Sequence, residues 1–155
     1  MKVTNEMKVQ FMSRSVNEGF ARLAAAAMVA QLDPTVEELS DIKVAVSEAV
    51  TNCIVHGYPG VTGFIHMECR LYDDNWIEIA VIDYGRGIED VEKARQPLFT
   101  TNSDGERSGM GFTVMQAFTD ELNVKSELGK GTTVKMRKII GACEEAENLE
   151  SEANV

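Results

Sequence analysis

Apolar and polar positions alternate at the start of the chain and then change period. Met7, Val9 and Phe11 are separated by Lys8 and Gln10, a spacing that predicts an N-terminal strand. From Val16 to Gln31 alanines accumulate, which predicts a helix, with Ser15 and Glu18 at capping-box spacing in front of it. Thr35 and Glu38 repeat that spacing just after Pro34. Behind them Val36, Leu39, Ile42, Val46, Val50, Cys53 and Ile54 hold helical spacing until Gly57 stops the helix and Tyr58-Pro59-Gly60 turns the chain.

The second half reads differently. Phe64 to Leu71 and Trp76 to Ile82 are apolar-rich runs joined by Asp73-Asp74-Asn75, as in an antiparallel hairpin. The stretch from Glu89 to Gly111 has no clean period apart from a short helix near Asp90 to Arg95, and reads as a long functional loop. Phe112 to Phe118 follows as a helix, and Leu122 to Ser126 and Thr132 to Ile139 are closing strands around Gly129-Lys130-Gly131. Helices first and strands interleaved predict one α/β layer pair. We divide the chain into a folded domain over 1–140 and an acidic tail over 141–155.

Charge and composition narrow the class of function. At 155 residues and a net charge of -10 the chain is long enough for one sizeable core and lacks the basic footprint of a nucleic-acid binder. Contact with transcription would therefore run through a protein partner. Part of the acidity lies in the tail, at Glu144, Glu145, Glu147, Glu150 and Glu152, which reads as a solvated segment. No apolar run approaches a membrane span, and the first residues carry no apolar signal core, so a cytoplasmic protein without membrane contact is expected. Cys53, Cys69 and Cys143 are widely spaced and read as reduced thiols.

Three motifs carry candidate chemistry. In Ser47-Glu48-Ala49-Val50-Thr51-Asn52, Glu48 and Asn52 lie one helical turn apart, off the apolar stripe, with Ala45 and Ala49 leaving room beside them. Asn52 can offer Mg²⁺ a carbonyl oxygen, and Glu48 can accept a proton from an attacking hydroxyl. His56 continues their stripe and reads as a packed or capping residue near the helix end. In Asp83-Tyr84-Gly85-Arg86-Gly87-Ile88, a carboxylate at a strand end precedes a glycine turn, and an acceptor-only group suits an exocyclic amino donor such as that of adenine. In Arg107-Ser108-Gly109-Met110-Gly111-Phe112, glycines open a helix whose N–H groups and dipole favour an anion, with Arg107 adding donors for a phosphate. Each alone is weak. Together, in this order and with no Walker-type lysine loop, they point to a nucleotide site assembled from separated parts.

The set resembles the GHKL ATPase family, which takes in gyrase B, ATP-driven heat-shock chaperones, histidine kinases and the mismatch-repair protein MutL. Within it, the match is closest to the anti-sigma serine kinases of sporulating bacteria. The segments Asn17 to Arg22, Ala30 to Thr35, Ser47 to Asn52, Ala94 to Thr101 and Glu106 to Thr113 carry it, within a likeness running from about Asn5 to Arg137. The resemblance implies a two-layer fold with helices on one face of a mixed, largely antiparallel sheet. It implies Glu48 as catalytic base and Asn52 as Mg²⁺ ligand. Asp83 would read adenine, with Gly85 and Gly87 as its loop. Arg107, Ser108, Gly109 and Gly111 would close over the phosphates of ATP. Thr100 and Thr101 count with the nucleotide-binding residues, and Thr132 lies near the adenine pocket. Glu18 and Arg22 would face protein partners: a sporulation sigma factor, held away from RNA polymerase, and an anti-anti-sigma protein, phosphorylated on serine. A homodimer is implied as well.

Three positions depart from that pattern. Tyr84 stands where an acidic residue is common, Arg86 adds a cation, and Asn102 replaces a frequent lysine. Two other readings use the same residues. The ATP-binding half of a histidine kinase needs an upstream phosphoacceptor histidine, whereas the first histidine here is His56. A nucleotide-gated binding protein without kinase activity needs Asn52 and Asp83 but has no use for Glu48.

Overall fold

The computed structural model describes residues 1–96 and 111–141. Chain order is β1 (Val3–Met12), α1 (Asn17–Val29), α2 (Val36–Asn52), β2 (Phe64–Tyr72), β3 (Trp76–Asp83), α3 (Val91–Ala94), α4 (Gly111–Phe118), β4 (Glu121–Glu127) and β5 (Gly131–Ile139). The strands form one sheet in the order β1-β2-β3-β5-β4. All its pairings are antiparallel, which narrows the expected mixed sheet to a purely antiparallel one.

Strand periodicity decides what lies inside. Ile65, Met67, Cys69 and Leu71 of β2, and Ile77, Ile79 and Val81 of β3, share the inner face and are buried. Val134 and Met136 continue that face on β5. The outer face is ionic: Arg70 meets Glu6 at 2.5 Å, and Glu78 lies within 3.6 Å of Arg70 and of Arg137. One face covered and one face solvated is the usual arrangement of an antiparallel sheet.

The covering layer is built on α2. Ile42, Val46, Val50 and the following Cys53 are buried as their spacing predicts, each such aliphatic side chain contributing roughly 1.5–3 kcal/mol. Val36, at the head of the predicted stripe, is 87% exposed. Helices α1 and α4 both pack against α2.

The two capping boxes expected from sequence fare differently. At α2 the Thr35 hydroxyl accepts from the Glu38 N–H at 3.1 Å, and Glu38 accepts from the Thr35 N–H at 2.9 Å. At α1 no side chain caps the helix, which is shorter than the predicted 16–31 run and ends in a single 3-10 turn over Ala30–Leu32. Glu18 instead accepts from Arg22 at 2.9 Å and from the hydroxyl of Ser47 on α2. An intrahelical ion pair and a tertiary hydrogen bond from Ser47 have outcompeted a local cap. The long helix does not stop cleanly at Gly57 either. Its last residues, Cys53–Gly57, widen into one π turn closed by the Tyr58 N–H on the Cys53 carbonyl at 2.9 Å. Such turns recur at functional sites because they rotate side chains off the helical stripe.

No helix among the described residues is long and apolar enough to cross a membrane. Cys53 and Cys69 are free and buried, and burial raises the Cys69 thiol to about 12. Cys143 and the acidic tail from 142 onward lie outside the described residues.

Candidate functional site

The C-terminal end of α2, the end of β3 and the start of α4 meet around a cavity of about 760 Å³, in the range of small-molecule sites. Its wall includes Asn52, Cys53, His56, Asp83, Gly87 and Phe112. The segment 88–94, with α3, and Thr132 of β5 also line it.

Asp83 owes its position to strand alternation. It continues the inner row of Ile77, Ile79 and Val81, so the pattern that buries those apolar residues buries a carboxylate at the row's end, where it is 4% exposed. The Gly85 N–H donates to Asp83 Oδ1 at 2.9 Å. Burial nevertheless wins: it raises the Asp83 carboxyl above its ordinary 3.8 despite that donor. Burial and the neighbouring Asp83 charge likewise push the Cys53 thiol well above its ordinary value.

The loop after Asp83 is packed too closely for side chains. A Cβ on Gly85 would lie 2.0 Å from the Gly57 carbonyl oxygen, and the next N–H, of Arg86, donates to that oxygen at 3.0 Å. Gly87 has φ +74, and a Cβ there would meet the Glu127 carbonyl oxygen at 2.2 Å. The β4–β5 turn supports the loop from below, through the Gly129 N–H on the Arg86 carbonyl at 2.7 Å. Tyr58 closes it from the side: its hydroxyl donates to the Phe64 carbonyl at 2.7 Å and accepts from the Tyr84 N–H at 2.8 Å.

Glu48 and Asn52 come together beside the start of α4. A Cβ on Gly111 would stand 3.2 Å from the Asn52 amide and 3.4 Å from Glu48 Oε2. The N-terminal end of α4, the positive end of its dipole, is thus brought to the carboxylate and the amide.

These positions sort the residues singled out from sequence. Asn52, Asp83, Gly87, Gly111 and Thr132 line one cavity, Gly85 holds its loop, and Glu48 sits next to Asn52 at Gly111. Thr100, Thr101, Asn102, Arg107, Ser108 and Gly109 lie outside the described residues. Of the departures, Arg86 lines the cavity, whereas the Tyr84 ring is 62% exposed and packs edge-on against His66 at 5.4 Å. Glu18 and Arg22 lie outside the cavity wall, and Arg22 also donates to Ser47, the residue before Glu48, at 3.3 Å. Sequence reasoning missed Cys53, Gly57 and Tyr58, and it took His56 for a packed or capping residue, whereas it lines the cavity. The π turn that brings this segment to Asp83 has no local signal beyond the glycine that ends it.

A buried carboxylate thus stands above a glycine cradle, with an amide and a second carboxylate at a helix start. Residues 13–138 match the family described as the histidine kinase-like ATPase domain. An anti-sigma F factor of Thermoanaerobacter sp. (strain X514) is 60% identical over 142 residues, covering 92% of this chain and 99% of that one. An anti-sigma F factor of Geobacillus stearothermophilus is 55% identical over 134 residues, covering 86% of this chain and 92% of that one. Among solved structures, the RsbU and RsbW domains of Rv1364c from Mycobacterium tuberculosis superpose with a TM-score of 0.64 at 20% identity, covering 88% of this chain and 32% of that one; this likeness bears on the fold. The chain belongs to the histidine kinase-like ATPase domain family, in its anti-sigma F factor branch.

Proposed function

We propose that this chain is an anti-sigma factor that is also an ATP-dependent protein-serine kinase. In this reading it sequesters a sporulation sigma factor and phosphorylates a serine of that factor's anti-anti-sigma antagonist. The observation that carries the catalytic part is the meeting of Glu48 and Asn52 at Gly111, on the same cavity that ends at Asp83.

The residues fit ATP and Mg²⁺ by chemistry and by room. The glycine cradle leaves the Asp83 carboxylate facing space, and an ionised carboxylate accepts the amino group that adenine carries and guanine lacks at that position. Asn52 offers Mg²⁺ one hard oxygen, in keeping with an ion that keeps most of its shell as water and phosphate. When bound, ATP supplies the γ-phosphoryl group and Mg²⁺ neutralises its oxygens, so that the serine Oγ–P bond forms as the bond to ADP breaks. Glu48 takes up the proton that the serine hydroxyl loses. The start of α4 offers N–H groups to the phosphates, and Arg107, Ser108 and Gly109 would close over them together with Thr100 and Thr101. Phosphoryl transfer rests mainly on positioning and charge stabilisation, so these groups suffice.

The test is single-turnover transfer from labelled ATP to a purified anti-anti-sigma protein. Glu48→Gln keeps the shape and removes the base, and should slow transfer by about 10²–10⁴-fold while ATP still binds. Near-normal transfer by this variant would remove Glu48 from the role and favour a binder without kinase chemistry.

Partner binding is assigned to Glu18 and Arg22. Arg22 keeps 41% of its side chain exposed while Glu18 and Ser47 fix its guanidinium, a pre-ordered anchor of the type interfaces favour. Arg22→Ala should weaken binding of the sigma factor and the antagonist by about 2 kcal/mol, with ATP affinity unchanged. Pull-downs with each partner beside a nucleotide titration check it, and a parallel fall in ATP affinity would place Arg22 in the pocket's support instead. We also take the chain as a cytoplasmic homodimer: Val16, Phe20 and Leu23 leave apolar surface of 50–71% exposure per residue around α1, a patch suited to a protein contact.

A further inference from the structure

We propose that Tyr58 is a positioning residue for base recognition: its hydroxyl clamps the backbone next to Asp83 onto the start of β2, which holds the carboxylate in the orientation that reads the base amino group. The inference rests on the adenine reading of Asp83 given above.

Tyr58 directly follows the π turn, and its own N–H closes that turn on the Cys53 carbonyl at 2.9 Å. Its side chain is buried and fills a slot beside Gly63, where a Cβ would stand 2.3 Å from the ring atom Cε1. A buried phenol needs partners for its hydroxyl. Here both partners are backbone groups, and they fix the direction of each bond. The Phe64 carbonyl can only accept, at 2.7 Å, and the Tyr84 N–H can only donate, at 2.8 Å, so the phenolic oxygen does one of each. One side chain thereby ties the start of β2 to the residue after Asp83.

The N–H groups that follow Asp83 give this bond its meaning. Each of three in succession has a different acceptor: the Tyr58 hydroxyl takes Tyr84 at 2.8 Å, Asp83 Oδ1 takes Gly85 at 2.9 Å, and the Gly57 carbonyl takes Arg86 at 3.0 Å. Gly57 also makes room for the carboxyl, since a Cβ there would stand 2.9 Å from both Asp83 Cγ and Oδ1. Gly57 and Tyr58 thus hold two of the three donors, and only Gly85 draws on the carboxylate itself. Without the Tyr58 hydroxyl, the Tyr84 N–H loses its acceptor one residue from an anionic group. It then competes for that carboxylate and turns it from the direction in which the base amino group docks. A nucleotide that uses this contact loses affinity, and one without the amino group does not.

The experiment titrates ATP, and separately purine riboside 5′-triphosphate, into the full chain with Mg²⁺ present. That second nucleotide has hydrogen in place of the 6-amino group. Wild type and Tyr58→Phe are compared, with thermal melts to establish that each is folded. Wild type should prefer ATP. Tyr58→Phe should lose about fivefold in ATP affinity, the effect of one neutral hydrogen bond, and stay within about twofold of wild type for the purine riboside nucleotide. Gly63→Ala keeps the hydroxyl but drives the ring from its slot; it should shift the preference in the same sense, and it decides the matter if Tyr58→Phe does not fold. Amide exchange on the wild type needs no variant: the Tyr84 N–H should be protected by at least about tenfold, and unprotected exchange there would overturn the clamp. A folded Tyr58→Phe with the full preference for ATP would overturn the positioning role, and equal loss for both nucleotides would reduce Tyr58 to a structural residue. If wild type itself fails to prefer ATP, the adenine reading of Asp83 falls first and this inference falls with it.

Discussion

Helix α2 has a closed end and an open end, and each buries a carboxylate. At the closed end Glu38 is 8% exposed and uses both oxygens: one accepts from the Thr35 N–H at 2.9 Å, the other from the Gly141 N–H at 2.9 Å. Its acceptors serve to tie a helix start to the end of the sheet. At the open end Asp83 is 4% exposed, accepts from the Gly85 N–H, and still borders a cavity. Burial raises its carboxyl, so its charge is held at a cost to the ligand-free fold. One carboxylate has been used up by structure, while the other has been kept partly unsatisfied for a ligand.

Exchanging each carboxylate for a group that cannot do its work separates the two ends. Asp83→Asn should cost about 10–100-fold in ATP affinity, the range expected for a hydrogen bond to a charged acceptor. It also puts an amide against the Gly85 N–H donor, which adds to the loss. A nucleotide titration measures it, and ATP affinity within twofold of wild type would contradict the assignment.

At the other end, Glu38→Ala should leave ATP affinity unchanged and lower stability by about 1–2 kcal/mol, since the Thr35 and Gly141 N–H groups lose their acceptor. For a chain of this length that is a fall in Tm of roughly 2–8 °C. A melt within a degree of wild type, or a clear loss of ATP affinity, would blur the distinction between the ends.

The same contrast explains what could be read from sequence. The closed end is local: Thr35 and Glu38 are three residues apart, and their spacing alone announced the cap. Ser15 and Glu18 have identical spacing, yet no cap forms, because Ser47 lies 29 residues away in sequence and next to Glu18 in space. The open end is non-local throughout. Asp83 and the glycines after it were legible as a strand end and a turn, and Glu48 and Asn52 as two groups on one helical stripe. What joins them was not legible. The π turn at Cys53, the Gly57 carbonyl under Gly85 and the Tyr58 hydroxyl on the Tyr84 N–H are contacts that depend on how α2 leaves the sheet. No period in the sequence encodes those contacts.

The smallest expected effect is one of pH, and its sign distinguishes the two roles of Asp83. Its carboxyl is raised in the folded protein above the ordinary 3.8 that the unfolded chain would show. Between those two values the folded state binds more protons than the unfolded state, so this group's contribution to stability falls as pH rises through the window and is recovered as pH falls. Recognition of the base amino group needs the ionised form, so ATP affinity moves the opposite way and is lost on acidification through the folded value. Other carboxylates also titrate on the way down, and Asp83→Asn serves as the reference that removes them. Melts and ATP titrations of both proteins from neutral pH toward pH ~4 should therefore diverge in opposite senses. Relative to Asp83→Asn, the wild type should gain stability as pH falls while its advantage in ATP affinity shrinks. If the two differences move together, or if neither moves above the ordinary carboxylate range, Asp83 is not the buried, charged acceptor that the open end of α2 has been built around.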